Sequence, residues 1–269
     1  IGVVGVGTIG AAVARGLLGA PAGVLPYTPN FILSPRDAQK AAALQKEFPE
    51  HVQIASSDQE VVSGVDCVIL ALPGALAEGI IQSLSFRSDQ QVISLVVAID
   101  YARLGRLLGQ GVDCTMAVPL PAVAMRQGAT LGFPPKPYAE AIFSALGTYT
   151  AVRDEEELLK LRTVMAFMGD FYKRQLTIQN WLVDHGVDAA LAARHIGSVF
   201  ETIAADSAHA SAGTFAEKVS EQTPNGTNEK VWKQQEAAGV YAAVDRSLDS
   251  LYNGSRLTML HSQRELLLV

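Results

Sequence analysis

The first ten residues, IGVVGVGTIG, carry three glycines in the spacing G-x-G-x-x-G directly after a short apolar run. In this pattern Gly5 permits a tight turn after a strand, Gly7 lets the backbone approach a pyrophosphate, and Gly10 allows a helix to pack closely on the strand. Glycine-rich turns are common, but the position between an apolar run and a helical pattern favours a nucleotide site over a purely structural turn. The amides and the positive end of the following helix would bind the phosphates.

Short apolar runs alternate with helical patterns up to about residue 153. The runs are residues 1–5, 30–34, 52–55, 67–72 and 92–99, with weaker candidates at 113–118 and 129–132. The helical patterns are residues 9–18, 37–48, 57–63, 76–84, 101–108 and 136–146. Several runs are rich in Val and Ile without polar alternation, as expected for strands that are covered on both faces. This order predicts an α/β fold with a Rossmann-type, doubly wound and mainly parallel sheet.

The remainder of the chain has helical patterns and no strand signal. The predicted helices are residues 154–183, 188–211 and 214–221, followed by one from about 228 into the 250s. We therefore expect a first domain over residues 1–153 and an all-helical domain over 154–269. Because these helices carry apolar residues on more than one face, they bury part of them against a partner subunit or against the first domain. The first alternative is favoured and predicts a homodimer or higher oligomer.

Composition and charge argue against several classes of function. The net charge of −6 argues against general binding to nucleic acid or to an anionic membrane, and no apolar run reaches the roughly 18 residues of a membrane span. Cys67 and Cys114 lie in apolar stretches, which indicates buried thiols in a reducing compartment and predicts a cytoplasmic protein. The five histidines lack metal-ligand spacing, so no metal site is expected. The chain starts abruptly on a strand, which leaves open a missing leader.

The end of the second apolar run predicts the choice of coenzyme. An NAD site usually has Asp or Glu there, whereas this chain has Ser34 and Arg36, which suit a 2′-phosphate. Asp37 is expected to cap the next helix. These residues predict NADPH, with NADH as the alternative if Arg36 is only a solvated surface residue. The fourth apolar run, residues 67–72, is expected to end near the ribose and the nicotinamide of the bound coenzyme. The predicted cofactor-binding residues are Gly5, Val6, Gly7, Thr8, Ile9, Ser34, Arg36, Ala71, Leu72 and Pro73.

Several segments in order resemble the pyrroline-5-carboxylate reductase family over about 250 residues. They are GVGTIG, SPRDAQKAAAL, VVSGVDCVILALP, QQVISLVVAID, RQGAT at 126–130, DEE at 154–156, LVDHGVDAALA and TPNGTN at 223–228. The resemblance implies a Rossmann domain, a helical domain that intertwines with a second subunit, and NAD(P)H-dependent reduction of the small cyclic imine pyrroline-5-carboxylate to proline.

The resemblance also implies a substrate site, because TPNGTN takes the place of the family's Ser-Pro-Gly-Gly-Thr-Thr signature. The amides of Gly226, Thr227 and Asn228 would then bind the substrate carboxylate at the start of the last helix. Thr227 and Asn228 would be the catalytic residues beside the imine. From the residues alone, the same segment is equally a turn followed by an N-cap.

Several positions depart from the family pattern. Asn228 replaces the last threonine of the signature, AVPLP at 117–121 replaces Met-Pro-Asn-Thr-Pro, and Leu72 replaces a lysine. Bulky residues at 168–173 replace a small-residue stretch and introduce Asp170, Tyr172 and Lys173, which either handle a proton or are ordinary solvated or paired helix positions. Two alternatives therefore stay open: a related imine or keto-acid oxidoreductase with another substrate, and a non-catalytic NADPH-binding protein.

Overall fold

The computed structural model describes residues 1–26 and 28–266, with side chains described as far as residue 257. One eight-stranded sheet has the order β3-β2-β1-β4-β5-β6-β7-β8. All neighbours pair in parallel except β6 and β7, which are antiparallel. The strands are β1 (Gly2–Val4), β2 (Phe31–Leu33), β3 (Val52–Ile54), β4 (Cys67–Leu70), β5 (Gln91–Ser94), β6 (Asp113–Pro119), β7 (Gly128–Phe133) and β8 (Gly147–Ala151). The predicted doubly wound, mainly parallel sheet is confirmed.

Helices cover both faces of the sheet, because successive strand residues point to opposite sides. Val3 and Ile69 join a core cluster with α1, α2 and α6, whereas their neighbours Val4 and Leu70 join a second cluster with α3, α4 and α5. These helices are α1 (Thr8–Leu18), α2 (Ala38–Glu47), α3 (Asp58–Ser63), α4 (Gly74–Gln82), α5 (Tyr101–Leu108) and α6 (Pro137–Ser144). A short 3-10 helix, Pro121–Met125, lies between β6 and β7.

As far as residue 266, helices alone follow β8, as predicted. They are α7 (Glu155–Met165), α8 (Met168–Asp184), α9 (Ala189–Asp206), α10 (Thr214–Ser220), α11 (Thr227–Ala237) and α12 (Val240–Leu266). The single helix expected over 154–183 is wrong: the amides of Ala166 and Phe167 bond carbonyls three residues back, which tightens the backbone and separates α7 from α8. The helix expected from 228 onward is likewise two helices, because Gly239 adopts a positive φ of 75°.

Strand β8 was not expected from the sequence. Its side chains are largely polar and half-buried or exposed, so it lacks the apolar run that indicated the other strands. It extends the sheet by pairing in parallel with β7, from Gly128 opposite Gly147 to Gly132 opposite Ala151.

One compact unit comprises Ile1–Arg162 together with the end of α12 from Arg256, and the other comprises Thr163–Ser255, so the divisions fall inside α7 and inside α12. The domain boundary expected after residue 153 stays a prediction. Among the described residues, no helix has both the length and the apolar character needed to span a membrane.

Candidate active site

The glycine turn between β1 and α1 has distinct roles for its three glycines. Gly5 has φ of 93°, and a Cβ added there would lie 2.4 Å from the carbonyl oxygen of Ala71. A Cβ on Gly10 would lie 2.4 Å from the carbonyl oxygen of Gly5, so this glycine allows α1 to pack against the turn. A Cβ on Gly7 would meet no atom within 4 Å. The space in front of Gly7 is therefore open, and a ligand could occupy it.

The amino end of α1 faces the same open cleft. Helix α1 has 11 residues, no side chain caps its amino end, and its first turn contains no acidic residue. The first amides of a helix have no partner within the helix, and they carry its positive end. The cleft has a volume of about 440 Å³ and is lined by Gly5, Val6, Gly7, Thr8, Ile9, Arg36, Asp37, Ala71, Leu72, Pro73, Leu76 and Leu95. A mainly apolar cleft with an anion-binding helix end fits a dinucleotide.

Arg36 lies in the cleft wall, and Ser34 lies behind it. The Ser34 side chain is fully buried, donates a hydrogen bond to Oδ1 of Asp58 at 2.6 Å, and does not line the cleft. The Arg36 guanidinium is 57% exposed, and its Nε lies 3.3 Å from Oδ2 of Asp58, whose side chain is 11% exposed. Ser34 therefore reaches the cleft only through Asp58 and the backbone amide of Arg36, which donates to the Ser34 hydroxyl at 3.3 Å.

Asp37 borders the same end of the cleft. Its backbone is left-handed with φ of 57°, and its side chain accepts from the Lys40 amide at 3.4 Å, as expected of a helix cap. The Lys40 ammonium lies 2.6 Å from Oδ2 of Asp37. These bonds to Lys40 hold the pKa of the Asp37 carboxyl below its ordinary value. The hydrogen-bonding groups of this carboxylate are therefore already used by the Lys40 side chain and by the first turn of α2.

The far end of the cleft is formed where β4 and β5 end. Ala71, Leu72 and Pro73 follow β4, and Leu95 follows β5, with its amide bonded to the carbonyl of Leu70. Leu76, on the first turn of α4, adds an exposed apolar side chain. Ligands bind outside the carboxyl ends of strands in sheets of this kind. The expected residues at 71–73 are therefore brought together with the glycine turn and with Arg36.

Helix α7 packs on the segment that joins β5 to α5. Oε1 of Glu155 accepts from the amide of Tyr101 at 2.7 Å, Leu158 and Leu159 are buried, and Nη1 of Arg162 donates to the carbonyl oxygen of Val97 at 3.0 Å. Burial raises the pKa of the Glu155 carboxyl, and the nearby Asp100 carboxylate adds to this rise. Burial also lowers the pKa of the Arg162 guanidinium. The sequence interpretation had not singled out any of these contacts.

The segment 226–228 begins α11 in the second unit. The Gly226 amide donates to the carbonyl of Thr223 at 2.8 Å, so it is used within the turn. Thr227 and Asn228 are exposed in the first helical turn, where amides have no intrahelical acceptor. Oε2 of Glu229 accepts from the Asn225 amide at 2.6 Å, and Lys233 pairs with the other carboxylate oxygen. The anion site implied for this segment therefore has two free amides rather than three.

The three polar residues introduced at 170–173 have different surroundings. Asp170 pairs with Arg174 at 2.7 Å, and both line a cavity of about 370 Å³ within the second unit. Tyr172 is 60% exposed, and Lys173 is exposed as well. Asp170 thus has the paired helix position that was one of its two expected roles.

Neither cysteine is placed for catalysis. Both Cys67 and Cys114 are free, and Cys114 is buried. Burial raises the pKa of the Cys67 thiol to about 11, so the thiol stays protonated near neutral pH. Within the described residues, no group of three or more His, Cys, Asp and Glu side chains could hold a metal ion. The cytoplasmic location stays a prediction.

Comparisons with known proteins agree with this geometry. Residues 1–98 match the family model described as NADP oxidoreductase coenzyme F420-dependent. The 1-pyrroline-5-carboxylate reductase of Streptococcus pyogenes is 19% identical, with 94% of this chain and 96% of that chain covered and a TM-score of 0.78. The Plasmodium falciparum pyrroline carboxylate reductase, solved with NADP bound, is 14% identical over 96% of this chain and 97% of that one, with a TM-score of 0.77.

A reductive aminase from Aspergillus terreus, solved with NADPH and ethyl-5-oxohexanoate, is 14% identical over 97% of this chain and 93% of that one, with a TM-score of 0.59. A search among curated proteins finds no matching sequence. The resemblance to the reductase family is therefore confirmed at the level of the whole fold. The chain has the fold of the pyrroline-5-carboxylate reductases, and its first 98 residues match the family described as NADP oxidoreductase coenzyme F420-dependent.

Proposed function

We propose that this protein is an NADPH-dependent reductase of a cyclic imine, and that its reaction is the reduction of pyrroline-5-carboxylate to proline. The observation that carries the proposal is the open space in front of Gly7, at the uncapped amino end of α1, in a cleft that ends at Arg36 on one side. The family model and the solved relatives support an NAD(P)H-dependent oxidoreductase.

The cofactor would lie along the cleft with its 2′-phosphate at Arg36 and its nicotinamide at the end of β4. The amides around Gly7, Thr8 and Ile9 would bind the pyrophosphate, and Arg36 would bind the 2′-phosphate with charge-assisted hydrogen bonds. Ala71, Leu72 and Pro73 would contact the ribose and the nicotinamide. Ser34 would act on the phosphate only indirectly, because its hydroxyl is bonded to Asp58. The relatives solved with NADP and NADPH support the choice of this coenzyme.

The helical unit would supply the polar groups for the substrate. The chemistry that bound NADPH supplies is hydride donation to the imine carbon. The ring nitrogen must also take up a proton, before or during hydride transfer, for the C=N bond to become an amine. The Thr227 hydroxyl can donate and accept, whereas the Asn228 amide can donate but does not readily relay a proton. The free amides of Thr227 and Asn228 would bind the carboxylate, with the Gly226 turn holding them in place.

We also infer that two copies of the chain associate through the helical unit. Within residues 163–255, the buried apolar side chains are Ala192 and Ile196. Large apolar side chains are exposed on several of its helices, for example Phe171, Leu176, Trp181, Leu191, Ile203 and Phe215. This much exposed apolar surface is unusual for a lone unit and is typical of a subunit interface.

The dimer can be tested by light scattering after size-exclusion chromatography. We expect a mass of about twice the 28.6 kDa of the chain. Leu176→Asp should shift the mass toward that of a monomer, because it places a charge in the interface. Asn180→Asp, an exposed polar position on the same helix, is the matched control. A wild-type protein that is monomeric at micromolar concentration contradicts the inference.

A related oxidoreductase is the second candidate. It is favoured by the similarity to a reductive aminase and by the bulky residues that begin α8. Such an enzyme would reduce another imine or a keto acid with the same coenzyme. The two candidates share the cofactor cleft, and they differ only in the substrate.

The cofactor cleft is tested by the Gly7→Ala variant. Gly7 has φ of −70°, and the new Cβ meets no protein atom, so the fold should tolerate the change. We expect the dissociation constants of NADPH and NADH to rise about tenfold or more, which corresponds to about 1.4 kcal/mol. The melting temperature should stay within about 2 °C of the wild type. Gly79→Ala, at an exposed helical glycine with equal space, is the control. A folded wild-type protein that binds neither coenzyme in calorimetry contradicts the proposal.

The substrate is tested by following NADPH absorbance. Loss of absorbance on addition of pyrroline-5-carboxylate supports the leading reaction. Turnover only of other imines or keto acids supports the second candidate. Tight NADPH binding without turnover on a broad panel points to the non-catalytic alternative and contradicts the enzyme proposal.

A further inference from the structure

Arg162 lies on the face of α7 that packs against the segment between β5 and α5. Glu155, Leu158, Leu159 and Arg162 are spaced i, i+3, i+4 and i+7, so they share one helix face. Leu158 joins the core cluster that contains Val96 and Ile99 from the segment after β5. At the carboxyl end of this face, Nη1 of Arg162 donates to the carbonyl oxygen of Val97 at 3.0 Å. The guanidinium is therefore fixed to a defined place on the segment 95–100.

That place is next to the nicotinamide end of the cofactor cleft. Leu95 lines the cleft, and a Cβ added to Gly74 would lie 2.9 Å from the Cβ of Ala98. Gly74 follows Pro73, which also lines the cleft. The segment that holds Arg162 thus lies beside the residues at the end of β4. In the strand order β2-β1-β4-β5, Arg36 follows β2, the phosphate turn follows β1, and the segment bonded to Arg162 follows β5.

The charge of Arg162 is not neutralised by the described part of the chain. Its guanidinium donates a hydrogen bond to a neutral carbonyl, and no carboxylate among the described side chains forms an ion pair with it. The side chain is half-buried, and burial lowers the pKa of its guanidinium. A partly desolvated cation without a counter-ion is costly, and a guanidinium has five N–H donors in a fork that fits a carboxylate.

We propose that Arg162 is a specificity-determining residue that binds the carboxylate of the substrate at the nicotinamide end of the cleft. The inference rests on the proposed function and deepens it, because it names the residue that would select an imine with a carboxylate on or next to the ring. The guanidinium of Arg162 offers a full positive charge and paired N–H donors to a carboxylate. A ring of the same size without a carboxylate would gain no binding energy from Arg162.

Two variants separate the charge of Arg162 from its structural bond. Arg162→Gln removes the charge and keeps an N–H donor for the carbonyl of Val97, while Arg162→Lys keeps the charge and loses the bidentate fork. Lys160→Gln removes a charge from an exposed, ion-paired position on the same helix and is the matched control. Melting temperatures establish that all three variants are folded.

The kinetic test compares pyrroline-5-carboxylate with 1-pyrroline, the same ring without a carboxylate. For Arg162→Gln, we expect the KM for pyrroline-5-carboxylate to rise about 10- to 100-fold, as for a lost charge-assisted contact. The kcat and KM for 1-pyrroline and the Kd of NADPH should change by less than about threefold. Arg162→Lys should recover part of the affinity, and Lys160→Gln should resemble the wild type. Equal losses on both substrates, or no loss on either, overturn the proposal.

A binding measurement keeps this inference separate from the proposed reaction. Calorimetry on the NADPH-saturated wild type would use proline and tetrahydrofuran-2-carboxylate as probes, with tetrahydrofuran as the uncharged-ring reference. We expect the two carboxylates to bind and the affinity to fall about tenfold or more in Arg162→Gln. If the wild type turns over neither imine yet binds carboxylates through Arg162, the proposed reaction is wrong and this inference stands. If neither carboxylate binds, or both bind Arg162→Gln as well as the wild type, this inference is wrong.

Discussion

Arg36 and Asp58 form an ion pair at the wall of the nucleotide cleft, with Nε of the guanidinium 3.3 Å from Oδ2 of the carboxylate. The other carboxylate oxygen accepts from the buried Ser34 hydroxyl at 2.6 Å. Coenzyme choice therefore depends on three linked side chains, one of which carries a negative charge close to where a 2′-phosphate would bind. Asp58 holds Arg36 in place and also offsets part of its charge.

The first prediction concerns Arg36→Ala. Loss of the guanidinium should raise the KM for NADPH about 10-fold or more and the KM for NADH by less than about threefold, because only NADPH carries the 2′-phosphate. Steady-state kinetics with both coenzymes measures this. Arg15→Ala removes another ion-paired arginine, on α1, and serves as the control. Equal changes for the two coenzymes would show that Arg36 does not bind the 2′-phosphate.

The second prediction concerns Asp58→Asn. The amide oxygen can still accept from Ser34, but the charge that offsets Arg36 is gone. We expect NADPH to bind about 3- to 10-fold more tightly and NADH to be unchanged. Asp66→Asn, which removes an exposed carboxylate paired with Arg87, is the control. Weaker binding of NADPH in Asp58→Asn would mean that positioning of Arg36 outweighs the charge effect.

The third prediction concerns Asn228→Thr. The change restores a hydroxyl at the second residue of α11, where the resembled family has threonine beside the imine. Turnover of pyrroline-5-carboxylate should be preserved or improved, since a hydroxyl can relay a proton and an amide cannot readily do so. Asn225→Thr is unsuitable as a control because Asn225 has φ of 61°, so Lys230→Thr, exposed on the same helix, is used instead. A large loss of activity would show that the pocket does not follow the family plan.

The fourth prediction uses the pKa of Glu155, which burial and the nearby Asp100 raise above its ordinary value. Oδ2 of Asp100 is itself buried without a hydrogen-bond partner in the described part of the chain. A raised pKa means that the folded protein binds the proton more tightly than the unfolded chain. Stability therefore falls as the pH rises from the ordinary pKa of glutamate through the raised one.

Glu155→Gln should accordingly be more stable than the wild type at pH 7, with a melting temperature about 1–3 °C higher. The glutamine oxygen can still accept from the Tyr101 amide. The difference should shrink as the pH falls through the ordinary pKa of glutamate and should be lost near pH 3, where Glu155 is protonated in both states. Thermal melts between pH 3 and 8 measure this, with Glu156→Gln as the control. A variant that is less stable at every pH would contradict the expected sign.

The sequence predicted the sheet well because its strands are continuous apolar runs buried on both faces. It also placed the glycine turn, Arg36 and residues 71–73 at one cleft, since the carboxyl ends of parallel strands meet at one edge. Strand β8 lacked such a run and was missed. The break between α7 and α8 was missed as well, because neither Pro nor Gly marks Ala166 and Phe167.

The features that the sequence did not reveal depend on contacts between residues far apart in the chain. Asp58 is 24 positions from Ser34, and Arg162 is 65 positions from Val97. Neither pair has a local sequence pattern, since Asp58 and Arg162 are each also consistent with an ordinary helix position. Burial of Ser34 was equally hidden, because a serine at the end of a strand can face either the ligand or the interior. Such pairings become visible only when tertiary structure brings the elements together.

The glycine turn has a consequence for any mutational survey of this chain. Substitutions at Gly5 and Gly10 force new atoms into backbone carbonyls, so they should lower the yield of soluble, correctly assembled polypeptide. Substitutions at Gly7 push only into the open cleft, so yield should hold while coenzyme uptake fails. Selection for expression and selection for turnover would therefore rank these neighbours in opposite order, and a survey that scores only one of them would misjudge what the motif is for.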